Sequence, residues 1–444
     1  MKSIVKYTFL AAFSLLSCAG FSQEVWSLDK CLEYAKEHNL QIRQSELAVA
    51  QSENAVTQSK YEFLPSLSGG ISQSMSWGRS VNLQTLEIIK HKMSSSTSAS
   101  LSSSVTLFNG LSNVYNLKSN QTALKISRLQ VEKLNNDITI QITQAYLEVL
   151  LAQAIEKSAV ESYKSVQEQV DRTSKMVDAG SQAYSTLLEV QSQLASEKSQ
   201  VVEAQNSVRT AKLTLLQLLD LNSTPMEKFE IEDPQFELDE ESKFYYPEGI
   251  GGIYSKALDL PQIRMQELNV QKSEYDYKSA YGRYFPSLSV QAGYGTYYTH
   301  GQEGAFFTQF NQNRNPTLGF SISIPIFSAL TTRMNVRNQK LNWESQKIEL
   351  ELQKQSLYKE IQSAYNQAYS AYQKMIAAKE NLLSIQESFT YTENKFNVGM
   401  VNATDYNIAR TNLFKASSSY YQAKFQYIFE LKILDFYTGK QITL

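Results

Sequence analysis

Residues Gln41–Ser68 read QIRQSELAVAQSENAVTQSKYEFLPSLS, and Gln262–Ser289 read QIRMQELNVQKSEYDYKSAYGRYFPSLS. An offset of 221 aligns the two stretches without a gap, and twelve of the 28 positions are identical. Downstream the correspondence continues at an offset of 219, pairing Leu107-Phe108 with Ile326-Phe327 and Gly180 with Gly399. The chain is therefore an internal duplication, and each half is one structural unit. The expected divisions are a first repeat over 23–221, an acidic connector over 222–249, a second repeat over 250–438 and a short tail over 439–444.

Within each repeat the hydrophobic period changes at the shared Pro-Ser-Leu-Ser. Before it, Leu28 to about Phe63 reads as one helix that Pro65 ends. After it, Leu67, Ile71, Met75 and Trp77 fall on odd positions, while Ser66, Ser68, Gly70, Ser72, Ser74 and Ser76 fill the even ones. This is a strand with one apolar and one small polar face. Ser94 to Phe108 repeats the pattern, with Ala99, Leu101, Val105 and Leu107 against Ser94, Ser96, Ser98, Ser100, Ser102 and Ser104, leaving Gly78–Lys92 as a loop. In the second half Leu288, Val290, Ala292, Tyr294 and Tyr298 alternate with Ser287, Ser289, Gln291, Gly293 and Gly295. Leu318, Phe320, Ile322, Ile324 and Ile326 then alternate with Thr317, Gly319, Ser321 and Ser323.

Four such strands match the length and alternation of transmembrane barrel strands. A soluble sheet with one face on a core alternates in the same way, but its open face should carry charge. Here that face carries Ser, Gly and Thr. Four strands cannot close a barrel, and an open edge cannot be left in lipid, so several chains must share one. Two chains give eight strands and a filled interior; three give twelve and room for a lumen. The parity argument predicts Leu101, Ile322 and Ile324 toward lipid, with Ser100, Ser321 and Ser323 toward the lumen.

After each strand pair comes a long helix. Neither Pro nor Gly interrupts Ser112–Asp178, where Leu134, Ile138, Ile142, Ala145 and Val149 step by threes and fours. In the second half Leu357, Ile361, Ala364, Ala368, Ala371, Met375, Ala378, Leu382 and Ile385 hold a heptad seam. At 1.5 Å per residue such a helix is roughly 100 Å long. Gly180 and Gly399 then mark turns, from which shorter helices return.

The N-terminus has Lys2 and Lys6, an apolar run from Phe9 to Leu16 and then small residues, the layout of a secretory signal over 1–22. Cleavage after Ser22 fits this layout. Leu15-Leu16-Ser17-Cys18 also resembles a bacterial lipobox, which would leave Cys18 lipidated. If Cys18 is removed, Cys31 stands alone, no intrachain disulfide forms, and Cys31 reads as an inert buried thiol. No later stretch reads as the 18 or so apolar residues of a spanning helix.

Net charge is -2 and no basic cluster alternates with exposed aromatics, so nucleic acid is not expected as a partner. His38, His91 and His300 lie far apart in sequence, with no metal-ligand spacing, no phosphate loop and no nucleophile motif, so neither an enzyme, a cofactor nor a metal is expected. Asn222–Gly249 is acidic and reads as a solvated connector with one short strand at Phe229–Ile231.

This order of elements, done twice, with Phe-Leu-Pro-Ser-Leu and Phe-Asn-Val-Gly-Met-Val-Asn-Ala-Thr-Asp-Tyr, resembles the TolC-like outer-membrane efflux family over essentially the whole chain beyond residue 22. The resemblance implies a mixed α and β fold. A homotrimer would form a 12-stranded barrel in the outer membrane, continued by a helical barrel in the periplasm of a Gram-negative bacterium. It implies a passive exit duct of a tripartite efflux pump or type I secretion system, joined by a periplasmic adaptor to an inner-membrane transporter. The tips at Gly180 and Gly399 would meet the adaptor. Asp405 would ring the pore entrance, where Ile408 stands in place of a second aspartate, Val401 in place of an arginine, and Thr186 at the matching first-half position. Gating would then rest on apolar contacts near Val401, Tyr406 and Ile408. An exported coiled-coil stalk without a pore also explains the heptads, but not two serine-faced strand pairs.

Overall fold

The computed structural model describes residues 25–81, 88–221, 229–234, 244, 246–300 and 304–443. The expected signal segment, Cys18 and most of the acidic connector lie outside them. The chain divides into two compact units, one made of Ser45–Gln130 and Pro261–Gln353, the other of the remaining segments.

The element series is β1 (Val25–Trp26), α1 (Leu28–His38), α2 (Leu40–Tyr61), β2 (Ser66–Val81), β3 (Ile88–Asn109), α3 (Ser112–Asp178) and α4 (Tyr184–Leu218), then β4 (Glu230–Ile231). It repeats as α5 (Gly249–Ala257), α6 (Pro261–Gly282), β5 (Ser287–Thr299), β6 (Asn315–Ser323), α8 (Thr331–Asn397) and α9 (Ala403–Tyr437), with a short α7 (Phe306–Gln312) between β5 and β6. Both long helices have 67 residues, both return helices 35, and α2 and α6 22 each.

Where one helix was expected from Leu28 to Phe63, there are two. Asn39 sits between them in extended conformation, and its Oδ1 accepts from the N–H groups of Gln41 and Ile42 at 2.9 and 3.3 Å. Its Nδ2 donates to Leu218 O at 3.1 Å. A side chain that caps the next helix competes with continuing the previous one. The second repeat breaks at the matching place, before Pro261.

The first unit holds a four-stranded antiparallel sheet in the order β2-β3-β5-β6. Its register obeys the duplication residue by residue: Ser68 pairs with Ser102, and the offsets of 221 and 219 carry that pair onto Ser289 and Ser321, which also pair. β2 and β3 run on into Gly78–Lys92, expected as a loop, because ladder bonds continue there after the alternation has faded. β6 ends at Ser323, before Pro325, which has no N–H for a ladder. At the junction of β3 with α3, Gly110 and Gly282 meet backbone to backbone, and a Cβ on Gly110 would collide with Gly282 O. Ser112 Oγ donates to Ser279 O at 2.8 Å beside them.

The second unit is helical around a core of Leu28, Cys31, Ile138, Ile142, Tyr146, Leu215 and Ile428. β1 and β4 pair in parallel at its edge, and the Tyr146 hydroxyl lies 3.0 Å from Trp26 O and 2.7 Å from Glu232 O. Burial pushes the Cys31 thiol up to about 12, so it is held as an inert thiol. The α8 seam is buried from Leu357 through Met375 and half-buried at Ala378, Leu382 and Ile385. By length and composition α3 is apolar enough to cross a membrane, against the expectation of no such stretch. Its apolar run from Ile138 to Leu150 is instead core of this unit.

Candidate functional site: sheet faces and helical tip

The strand register decides which side chains share a face. Residues directly opposite on antiparallel strands project the same way, so Gly69, Leu101, Tyr294 and Pro316 lie on one face, as do Ile71, Ala99 and Thr296. Val290 and Phe320 join them, and so do Leu288 and Ile322. The opposite face carries Ser66, Ser68, Ser72, Ser98, Ser100, Ser102, Ser104, Ser289, Gly319, Ser321 and Ser323.

On the small polar face the hydroxyls bond across the strands: Ser68 to Ser102 at 2.8 Å, Ser72 to Ser98 at 2.7 Å and Ser66 to Ser104 at 3.2 Å. The apolar face is largely uncovered, with Ile71 81% and Leu318 70% exposed. A core sheet would have one face packed throughout; among the described residues only the short α7 lies against this face, near one end.

Three departures from strict parity appear. Leu107, expected on the apolar face, falls in a bulge between Thr106 and Phe108, and Phe108 takes its place opposite Leu288. Ile324 is exposed but lies one residue beyond β6, so it is not a wall position of this sheet. Gln73, overlooked in the pattern, faces the apolar side. Its Nε2 donates to Ser95 Oγ at 2.6 Å and its Oε1 accepts from Thr97 Oγ1, which satisfies the amide locally.

The helical tip is built by glycine caps. Gly180 and Gly399 have φ of 71° and 76°. Met400 N–H donates to Lys395 O at 2.9 Å and Gly399 N–H to Phe396 O at 3.0 Å, and Ser181 and Gly180 do the same to Met176 and Val177. These are paired 6→1 and 5→2 bonds of a Schellman cap, which need a left-handed residue. Asn402 starts α9 by accepting from Asp405 N–H at 2.8 Å. Ala183, its repeat counterpart, makes no such bond.

The residues expected at the gate do not form one surface. Asp405 and Ile408 are exposed and Val401 half-exposed, but the Tyr406 ring is buried in a cluster with Val166, Val190, Phe389, Phe396 and Ala403. It stacks on Phe396 at 4.6 Å, and burial raises its hydroxyl pKa. Tyr406 therefore belongs to the packing beneath the exposed turn. The sequence pattern missed Arg410, which is 5% exposed. Its guanidinium lies 5.4 Å from the rings of Phe389 and Tyr406 and donates to Ser162 O at 3.5 Å and to Ser165 Oγ. It ties α9 to α3.

Among the described residues no group of three or more His, Cys, Asp or Glu is placed to hold a metal. His38 stacks on Tyr34 at 4.1 Å, and His300 closes the end of β5 through a bond from its N–H to Ser95 O. The side chain of His91 lies outside the described residues.

Against known structures, CusC superposes with a TM-score of 0.78 at 18% identity, over 95% of this chain and 96% of that one. The CmeC outer membrane channel of Campylobacter jejuni gives 0.76 at 18% over 93% and 85%, and VceC of Vibrio cholerae 0.74 at 14% over 93% and 96%. At these identities the likeness establishes the fold. Comparison with curated protein sequences gives no match. The family model for outer membrane efflux proteins matches residues 31–220 and 253–440, one segment in each repeat. That match supports a channel and not a poreless stalk. The chain belongs to the outer membrane efflux protein family and is an efflux channel of the outer membrane.

Proposed function

We propose that three copies of this chain share one 12-stranded barrel and form the exit duct of a tripartite pump. The observation that carries this is the sheet itself: among the described residues, β2 and β6 each have one unpaired edge, one face is largely uncovered and apolar, and the other is lined with hydroxyls. An unpaired edge is not tolerated in lipid. Within the chain the second strand of the first repeat pairs with the first strand of the second repeat. The duplication extends that rule: β6 of one copy pairs with β2 of the next, and the ring closes without edges. Carrying the β3–β5 register through the two offsets places Ser321 opposite Ser72 and Phe320 opposite Gln73 of the next copy, each with its own face. Two copies would close eight strands on a filled interior, whereas three leave a lumen.

In this reading Leu101 and Ile322 contact lipid, the serine face lines water, and the long helices form the periplasmic wall. The Gly180 and Gly399 tips meet a periplasmic adaptor, and an inner-membrane transporter supplies the energy. Asp405 contributes three symmetry-related carboxylates near the entrance. Purified protein run in detergent without heating should migrate as a trimer, and the same material in a planar bilayer should conduct. A monomer that leaves the bilayer silent would overturn the proposal.

A further inference from the structure

The connection between β5 and β6 holds the short helix α7, Phe-Phe-Thr-Gln-Phe-Asn-Gln, and the structure fixes which side of the sheet it lies on. Thr296, on the apolar face with Ala99, donates from Oγ1 to Phe310 O at 2.6 Å. Tyr298, on the same face, has its ring 4.9 Å from Phe306, which stacks on Phe310 at 4.7 Å. Gln309, buried, clamps the strand end: its Oε1 accepts from Thr299 N–H at 3.0 Å and its Nε2 donates to Thr299 O at 3.3 Å and Gly304 O at 3.1 Å. Asn313 Nδ2 donates to Tyr297 O at 2.8 Å. The helix is thus folded back against the apolar side and away from the serine face. It cannot serve as a cap over a lumen lined by those serines.

What it presents outward is Phe307, 83% exposed. The register sets its level. Thr299 pairs with Ser96, Ser95 pairs with Met75, and two pairs further on Met93 lies opposite Trp77, which is exposed on the same face. Trp77, Met93, Tyr298 and the phenylalanines of α7 therefore occupy one side of the sheet near one end of the strands. An uncharged helix with an outward aromatic, at the boundary of an apolar band, has the chemistry of a membrane–water interface anchor.

We infer that α7 is a lipid-surface anchor, with Phe307 seated among headgroups and upper acyl chains of the outer leaflet. The inference rests on the reading that the apolar sheet face meets lipid. The test uses the full-length trimer in phosphatidylcholine vesicles, with a bimane label on Phe307→Cys, Leu318→Cys or Thr317→Cys. Unsubstituted protein treated identically gives the background. Leu318 is on the apolar face and Thr317 on the polar one, so they report the parent reading. Nitroxide attached to the lipid near the headgroup should cause loss of emission at 307 and 318 but not at 317, and aqueous iodide should leave 307 bright. If 318 is quenched by lipid nitroxide while 307 is quenched only by iodide, α7 stands in water and the anchor fails alone. If 307 responds to neither quencher, it is covered by protein and the anchor also fails. If 317 is quenched by lipid and 318 is not, the face assignment itself is wrong.

Discussion

Ile322 and Ser321 are chain neighbours that project to opposite faces of β6, so one position tests lipid and the other water. Arg at a lipid-facing site near the bilayer middle costs about 2–4 kcal/mol. Ile322→Arg should therefore remove most trimer from the membrane fraction, while Ser321→Arg should assemble and lower single-channel conductance. Normal assembly of the first with failure of the second would reverse the faces. Alternation of this kind is legible in sequence because a period of two needs only residue identity. Arg410 was not legible, since its partners Ser162 and Ser165 come from a helix some 245 residues earlier in the chain. Arg410→Ala removes hydrogen bonds from a buried charge, each worth about 1.5–3 kcal/mol. Amide exchange in the first turns of α9 should accelerate about tenfold or more, and unchanged exchange would make the tie energetically idle. Asp405 is exposed, and its backbone N–H donates to Asn402 Oδ1. Asp405→Ala should weaken cation selectivity and block by multivalent cations in a planar bilayer; unchanged values would leave it as a helix-start residue only.

Among the elements, the caps were readable and several boundaries were not. Glycine after a long periodic helix signals a left-handed cap, and φ of 76° at Gly399 meets that expectation. Gly399→Ala forces a Cβ into that conformation at a cost of about 1–2 kcal/mol. Gly399→Pro, which also removes the N–H bonded to Phe396 O, should abolish export while trimer remains in the membrane fraction. Wild-type export by that variant would take the tip out of the docking role. The helix break at Asn39 escaped the periodicity because apolar spacing continues through it; only the side-chain cap and the bond to Leu218, 179 residues away, show the chain bending there. The strands ran past their expected ends for a related reason. Beyond Trp77 the side chains lose their alternation, but the ladder is made by backbone groups that carry no sequence signal.

At the scale of the molecule, the duplication was the most legible feature, and the register makes it quantitative, since one pair of offsets maps the β2–β3 pairing onto β5–β6. The proposed closure through further copies rests on that symmetry and on the cost of an open edge in lipid. It predicts a pairing that one chain cannot make. Within a chain, Ser72 and Ser321 lie on the two outer strands of the sheet, three strand spacings apart, which is about 14 Å at roughly 4.8 Å per spacing. A disulfide needs Cα atoms within about 7 Å, so a bond between these positions can form only between copies. Cys31, buried and with its thiol held up to about 12, does not compete. Mild oxidation of Ser72→Cys/Ser321→Cys protein in membranes, followed by denaturing electrophoresis without reductant, is the direct measurement. Covalent trimers from this pair, and none from Ser72→Cys/Phe320→Cys, whose side chains face opposite sides, are the predicted result. Monomer alone from the first pair, in membranes where the protein is assembled, would contradict closure of the barrel through β6 and β2.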